Sequence, residues 1–308
     1  MSVIRIAADL MYAGLFLPLG AIVPTDEFMI KLTYIWFALK VALCGCGSDK
    51  RENGFDKARS GYKVSKIGTL PAVADESSGL AYDAAHGTLL TNNDSGGQPE
   101  LYEIDQKGNL LSTIKVPNAQ NVDWEDLARS PDGTIYVGDV GNNANKRRDL
   151  TIYAFSPEAK TTAAIYVRYA DQLAFPPAPD ARNFDCEAFF YYKNHLYLFS
   201  KNRSKTNQFV KLYEAPAQAG DYTLAVKDSV LVKTQVTAAD INPSGTAFAL
   251  LTYGKILVFK IENGRIDFSH PKECIKIGKM QEEALVFLNE DDLLMTNEQG
   301  KMYRIRRR

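Results

Sequence analysis

The stretch "DWEDLARSPDGTIYVGDVGNN", from Asp123 to Asn143, gathers Asp123, Glu125 and Asp126 at one end and Asp139, Asn142 and Asn143 at the other. Between them "RSPDG" is turn chemistry, so the two ends of a hairpin come together. Two later stretches open alike. "DCEAFFYYKNHLYLFSKNR" carries Glu187 with Lys201 and Arg203, and "QEEALVFLNEDDLLMTNE" carries Glu283 with Glu298. A carboxylate followed at once by an apolar strand is more than a solvated turn requires, and here it recurs at one register. Converging carboxylates repel, so they call for a cation, a basic partner or raised pKa values. Lys201 and Arg203 offer internal counter-charge. A hard cation such as Ca²⁺, held by carboxylate and amide oxygens, is the other solution. The blander alternative, polar residues that merely satisfy loop backbone, covers "NNDSGG" and "GNN" well and the three glutamates less well.

A repeat must position these groups. Five segments open with a strand, a turn and a second strand: "ESSGLAYDAAHGTLLTNND", "DWEDLARSPDGTIYVGD", "DCEAFFYYKNHLYLFSK", "QVTAADINPSGTAFALLTY" and "QEEALVFLNEDDLLMTN". Each is followed by a third strand with an aromatic residue near its middle: Tyr102, Tyr153, Tyr213, Phe259 and Tyr303. The first four copies add a fourth strand, and the period of about fifty residues suits a propeller blade. The fifth copy ends after three strands, while "YKVSKIGTL" (62–70) precedes the first copy without a partner. The expected fold is therefore all-β: a five-bladed β-propeller of four-stranded blades over 62–308, closed by 62–70 as the outer strand of the last blade.

In such a ring the first strand of each blade lines the channel, and its start shares a mouth with the end of the second strand. Symmetry about each turn pairs Glu125 with Asp139, Glu187 with Lys201, Glu283 with Asn297, Ser78 with Asn92 and Thr237 with Tyr253. The expected binding rim is Asp94, Glu125, Asp126, Asp139, Asn142, Asn143, Glu187, Lys201, Arg203, Tyr253, Glu283 and Glu298. Within it Glu125, Asp139, Glu187 and Glu283 are the expected metal ligands, with Ca²⁺ as the candidate cofactor. Glu125 and Glu187 are the candidate catalytic groups. Trp124 is expected to pack between blades.

Composition narrows the function classes. The 308 residues are 24% charged with a net charge of -1, which suits a folded domain and gives no electrostatic reason to expect nucleic acid. A monomer is expected. His86, His195 and His270 stand in turn-like contexts, which speaks against histidine-based nucleophilic catalysis. No Cys or His spacing suggests zinc.

Residues 1–46 read as an export segment. Its two apolar stretches are interrupted by Asp9 and Lys40, so two membrane spans are not expected. "LCGC" resembles a lipobox, with Cys46 taking a lipid chain and residues 47–61 serving as a polar tether. Met29 begins a basic and then apolar signal, which makes residues 1–28 an expected extension upstream of the true start. An uncleaved signal anchor is the alternative. Location in the bacterial envelope, facing the periplasm or the outside, follows from this reading. Cys186 and Cys274 are expected as buried thiols rather than a disulfide.

The motifs "ESSGLAYDAAHGTLLTNNDSGG", "DWEDLA…IYVGDVGNN", "VTAADINPSG…LLTY" and "EEALVF…LLMTNE" resemble bacterial envelope propellers of the SdiA-regulated and the phytase-like, esterase-like type. The resemblance covers residues 64–308. It implies the propeller fold and, from the calcium-dependent phytases, a Ca²⁺-bridged phosphate site, for which only Glu125, Asp139, Glu187 and Glu283 occupy comparable positions. Two functions stay open. One is a lipid-anchored protein that binds a cation, small ligand or partner at an acidic mouth. The other is a metal-dependent envelope hydrolase of phosphate esters or lactones, with Lys201 and Arg203 holding the anion.

Overall fold

The computed structural model describes residues 45–58, 61–278 and 281–308. The export segment, including Met29 and Cys44, therefore lies outside the described residues save for its last two. Among the described residues no helix is long and apolar enough to cross a membrane.

Five sheets form a five-bladed β-propeller. The channel-lining strands are Ser77–Asp83, Trp124–Arg129, Asp185–Tyr192, Val236–Ile241 and Glu282–Phe287. Each begins an antiparallel run of four strands outward. In the last blade the fourth strand is Tyr62–Thr69, which pairs antiparallel with Lys301–Arg307 in a register that sets Val64 against Ile305. The ring is thus closed by the N-terminal strand, and the edge left by the three-stranded fifth repeat is covered. At this seam Gly68 faces the carbonyl of Lys107 so closely that a Cβ there would lie 2.1 Å from it. Two blades gain a fifth, parallel strand: Gly220–Leu224 beside Thr161–Tyr169, and Asp56–Lys57 beside Pro271–Lys276.

The core is divided among the five junctions between neighbouring blades. Each junction holds its own apolar cluster, and the cluster of blades five and one (Leu80, Tyr102, Val286, Met302) completes the circle. Trp124, fully buried between blades one and two, donates its indole N–H to the Gln120 carbonyl at 2.8 Å.

Three expectations are corrected around the N-terminus. Cys46 and Cys274 form a disulfide, with Cα atoms 5.7 Å apart and 228 positions of chain between them. Cys274 is therefore no free thiol, and the Cys46 sulfur cannot carry a thioether lipid while bonded to it. Cys186 does remain a buried thiol. Nor are residues 47–58 a tether. Gly47–Asn53 is a helix, Asp49 forms a buried ion pair with Lys255 at 2.6 Å, and the Phe55 ring meets Phe259 edge-on with centroids 5.0 Å apart. Asn53 donates to the Leu231 carbonyl at 2.8 Å. The polar composition of "GSDKRENGFD" hid a clasp across the outer edges of blades three and four. A single buried aromatic, Phe55, and one paired acid, Asp49, anchor it.

Candidate functional site

The start of every channel-lining strand carries an irregularity at one register. Pairing skips Ser78 in blade one, Glu125 and Asp126 in blade two, Glu187 in blade three, Thr237 in blade four and Glu283 in blade five. A bulge leaves its extra residue outside the ladder and re-aims the side chain. This corrects the pairing by turn symmetry: Asp139 stands opposite Trp124 rather than Glu125, and Lys201 opposite Asp185 rather than Glu187. The skipped position is the one that carries the three glutamates.

Two of the five blades add a second acid two residues earlier, Asp123 before Glu125 and Asp185 before Glu187. With Asp94 from blade one, they form two overlapping groups. Asp94, Asp123 and Glu125 can place carboxylate oxygens within 4.8 Å of one another, as can Glu125, Asp185 and Glu187. Glu125 belongs to both. Ser78 donates to Glu125 Oε2 at 3.2 Å.

The counter-charge is uneven. Lys201 and Arg203 both pair with Glu187, and Arg203 also reaches Asp185 Oδ2 at 2.6 Å. Lys201 lies 5.5 Å above the Tyr253 ring centroid, which places Tyr253 at the same mouth. Among the described residues no salt bridge reaches Asp94, Asp123 or Glu125. Asp94 Oδ1 is buried and accepts no hydrogen bond. Against these carboxylates stands Gly141, where a Cβ would lie 2.3 Å from Glu125 Oε1 and 2.5 Å from Asp123 Oδ2. An orphaned carboxylate oxygen, a glycine packed closely against two of the carboxylates and an oxygen-only donor set fit a hard cation such as Ca²⁺.

Burial sets the electrostatics. It raises the Glu125 carboxyl well above its ordinary range, helped by Glu187, Asp94 and Asp185. Desolvation lifts Asp123 to about 6, with Asp94 and Asp185 adding to the rise. It lifts Glu187 to about 8 against the pull of Lys201, and Glu283 to about 7. Asp94 and Glu298 are raised for the same first reason. A carboxyl whose folded pKa exceeds its unfolded value stabilises the fold below the unfolded value. That stability is lost as pH rises through the folded one. In chelator, the melting temperature is therefore expected to fall as pH rises from about 5 to about 8. Calorimetric scans at several pH values check this; a flat or rising trend would contradict the buried, cation-free cluster.

Several expected ligands lie elsewhere. Asp139 takes Arg147 Nη1 at 3.0 Å and the Asp123 N–H at 2.9 Å, and belongs to neither carboxylate group. Glu283 sits by Glu298 and Lys201, outside both groups. Asn142 organises its loop, accepting the N–H groups of Lys146 and Arg147 and donating its own N–H to Asp185 at 2.6 Å. Asn143 is exposed. Asp126 is fully buried and accepts backbone N–H groups from Leu127, Ala239 and Phe189 at 2.9, 3.1 and 3.3 Å. It ties the inner strands of blades two, three and four and is not a rim residue. Asp123 and Asp185 were missing from the expected ligand set. The Asp-x-Glu spacing, two residues apart on one strand face, was the available signal.

No curated protein matches this chain. Solved structures similar to it include a streptogramin B lyase, at 12% identity and TM-score 0.43 over 82% of this chain and 100% of that one. A luciferin-regenerating enzyme matches at 14% identity and TM-score 0.47, over 80% of this chain and 95% of that one. A putative gluconolactonase matches at 9% identity and TM-score 0.47, over 81% and 93%. Likeness at this level concerns the fold alone. The SdiA-regulated family model matches residues 57–252 of the 308, well over half of the chain, and the protein belongs to that family.

Proposed function

We propose that the protein is a cation-dependent binding propeller of the cell envelope. Its acidic mouth holds a hard divalent cation, Ca²⁺ by donor chemistry, and presents it to a small ligand. The observation that carries this reading is the buried Glu125, shared by two carboxylate groups, of which the one with the half-buried Asp94 and Asp123 makes no salt bridge among the described residues. Asp94, Asp123, Glu125, Asp185 and Glu187 outnumber Lys201 and Arg203, and a cation relieves the excess. The envelope part rests on the Cys46–Cys274 disulfide, since such bonds persist in oxidising compartments. Membrane attachment through Cys46 does not accompany it, because the sulfur is already committed.

The test is calorimetric titration of Ca²⁺ into chelator-treated protein in two buffers of different ionisation enthalpy. One site per chain is expected, with protons released on binding, because raised carboxyls must ionise to become ligands. Absence of binding at millimolar Ca²⁺, or binding without proton release, would contradict the assignment.

The second reading, hydrolysis of a phosphate ester or lactone, is favoured by one observation: Asp123 and Glu187 are lifted to about 6 and about 8, the range in which a general base operates. A bound cation would supply Lewis-acid polarisation there. Glu125 or Glu187 would take the proton, and Arg203, one-quarter exposed, is the group available to an anion. Turnover of a nitrophenyl phosphate or an aliphatic lactone, dependent on Ca²⁺, would promote this reading over simple binding.

A further inference from the structure

The other end of the channel holds a cavity of about 680 Å³, lined by residues of all five blades. It begins where the channel-lining strands end: Arg129 lies four residues beyond Glu125, about 13 Å at about 3.3 Å per residue. This volume falls within the range of small-molecule sites.

Its wall is preformed. Gly245, at φ +65°, lies against the Tyr192 ring so closely that a Cβ would come within 2.7 Å of it, and the turn holds the ring in place. Lys193 Nζ lies 5.0 Å from the same ring's centroid. Arg129 pairs with Asp83 at 2.6 Å through one terminal nitrogen.

The polar groups are unequally engaged. The protein itself engages acceptors on Asp83, on Asn242 and on one oxygen of Asp240. Asp83 receives the N–H groups of Ala85 and His86 besides Arg129. Asp240 receives the Phe287 N–H at 2.6 Å, and Asn242 Oδ1 those of Thr246 and Ala247. The donors keep capacity: Arg129 carries five N–H groups and shows one ion-pair contact, and the Tyr192 hydroxyl and Lys193 ammonium add to it. A cavity with an aromatic wall and surplus donors selects an anion with an apolar ring.

We propose that this end of the channel binds a small cyclic carboxylate, its carboxylate on Arg129 and its ring against Tyr192. The site is separate from the acidic mouth and does not depend on a cation there.

The test uses naphthoate as the probe and naphthalenemethanol as its uncharged counterpart, titrated by calorimetry or NMR into the whole protein. Naphthoate is expected to bind at about millimolar or tighter, and the alcohol about tenfold weaker. Arg129→Gln should weaken naphthoate about tenfold and leave the alcohol unchanged. Tyr192→Leu, which keeps the Asp83–Arg129 pair, should weaken both. Glu125→Gln should change neither. Equal affinity for acid and alcohol, no naphthoate binding in the millimolar range, or unchanged naphthoate affinity in both cavity variants would overturn the assignment. If Arg129→Gln fails to fold, Arg129→Lys replaces it. That change keeps the charge but loses the planar fork, and a several-fold loss confined to naphthoate is then the expected result.

Discussion

Asp126→Ala is expected to lower the free energy of unfolding by about 3–5 kcal/mol, because three buried backbone donors lose their acceptor at about 1–3 kcal/mol each. Those donors belong to Leu127, Phe189 and Ala239, on the inner strands of three successive blades. Burial raises the Asp126 carboxyl well above its ordinary range, against the pull of the three backbone N–H groups it accepts. Asp126→Asn keeps one of the two oxygens and should cost less, about 1–2 kcal/mol. Urea unfolding of the three proteins checks both. An Asp126→Ala protein within about 1 kcal/mol of wild type would mean that the inner strands hold together without this tie. Asp240 makes the corresponding link from blade four to blade five, through the Phe287 N–H at 2.6 Å.

The second large effect concerns Glu125. Saturating Ca²⁺ should stabilise the wild-type protein by RT ln(1 + [Ca²⁺]/Kd), about 2.7 kcal/mol at a hundredfold excess over Kd. For a domain of this size that is a rise of roughly 5–10 °C in melting temperature. Glu125→Gln should abolish the rise. Burial and the neighbouring acids raise the Glu125 carboxyl well above its ordinary range, and the amide of glutamine is close to isosteric with the carboxyl. The cation-free variant should therefore melt near the cation-free wild type. A Ca²⁺-dependent rise preserved in Glu125→Gln would move the site away from the shared carboxylate. A variant that is already unstable without Ca²⁺ would instead assign Glu125 a structural role.

The blade count and the closure were legible because they depend on counting strands: three in the fifth repeat, one left over at 62–70. The three register-equivalent glutamates were legible as well, since an apolar strand that begins with a carboxylate is unusual. The bulges were not. Turn symmetry assumes an unbroken ladder, and one extra residue at Glu187 or Glu283 shifts every partner beyond it. The bulge at Glu125 and Asp126 sets Asp139 opposite Trp124 and outside the ligand set, and the bulges of blades two and three concealed Asp123 and Asp185, whose place beside the glutamates depends on them. Asp126 misled for a related reason. In sequence it is one more acid in "DWEDL", yet its neighbour faces the mouth while it faces the backbone of two other blades. Cys46 was read from its local motif alone, and its partner Cys274 is 228 positions away, a separation that sequence pattern cannot bridge.

The most direct test of the central claim is an anomalous difference map from crystals grown with Mn²⁺ as a stand-in for Ca²⁺. The account predicts one strong peak at the channel mouth, at bonding distance from Glu125 and from carboxylate oxygens among Asp94, Asp123, Asp185 and Glu187. A mouth without a peak in crystals soaked well above millimolar metal, or a peak held by residues that exclude Glu125, would contradict it.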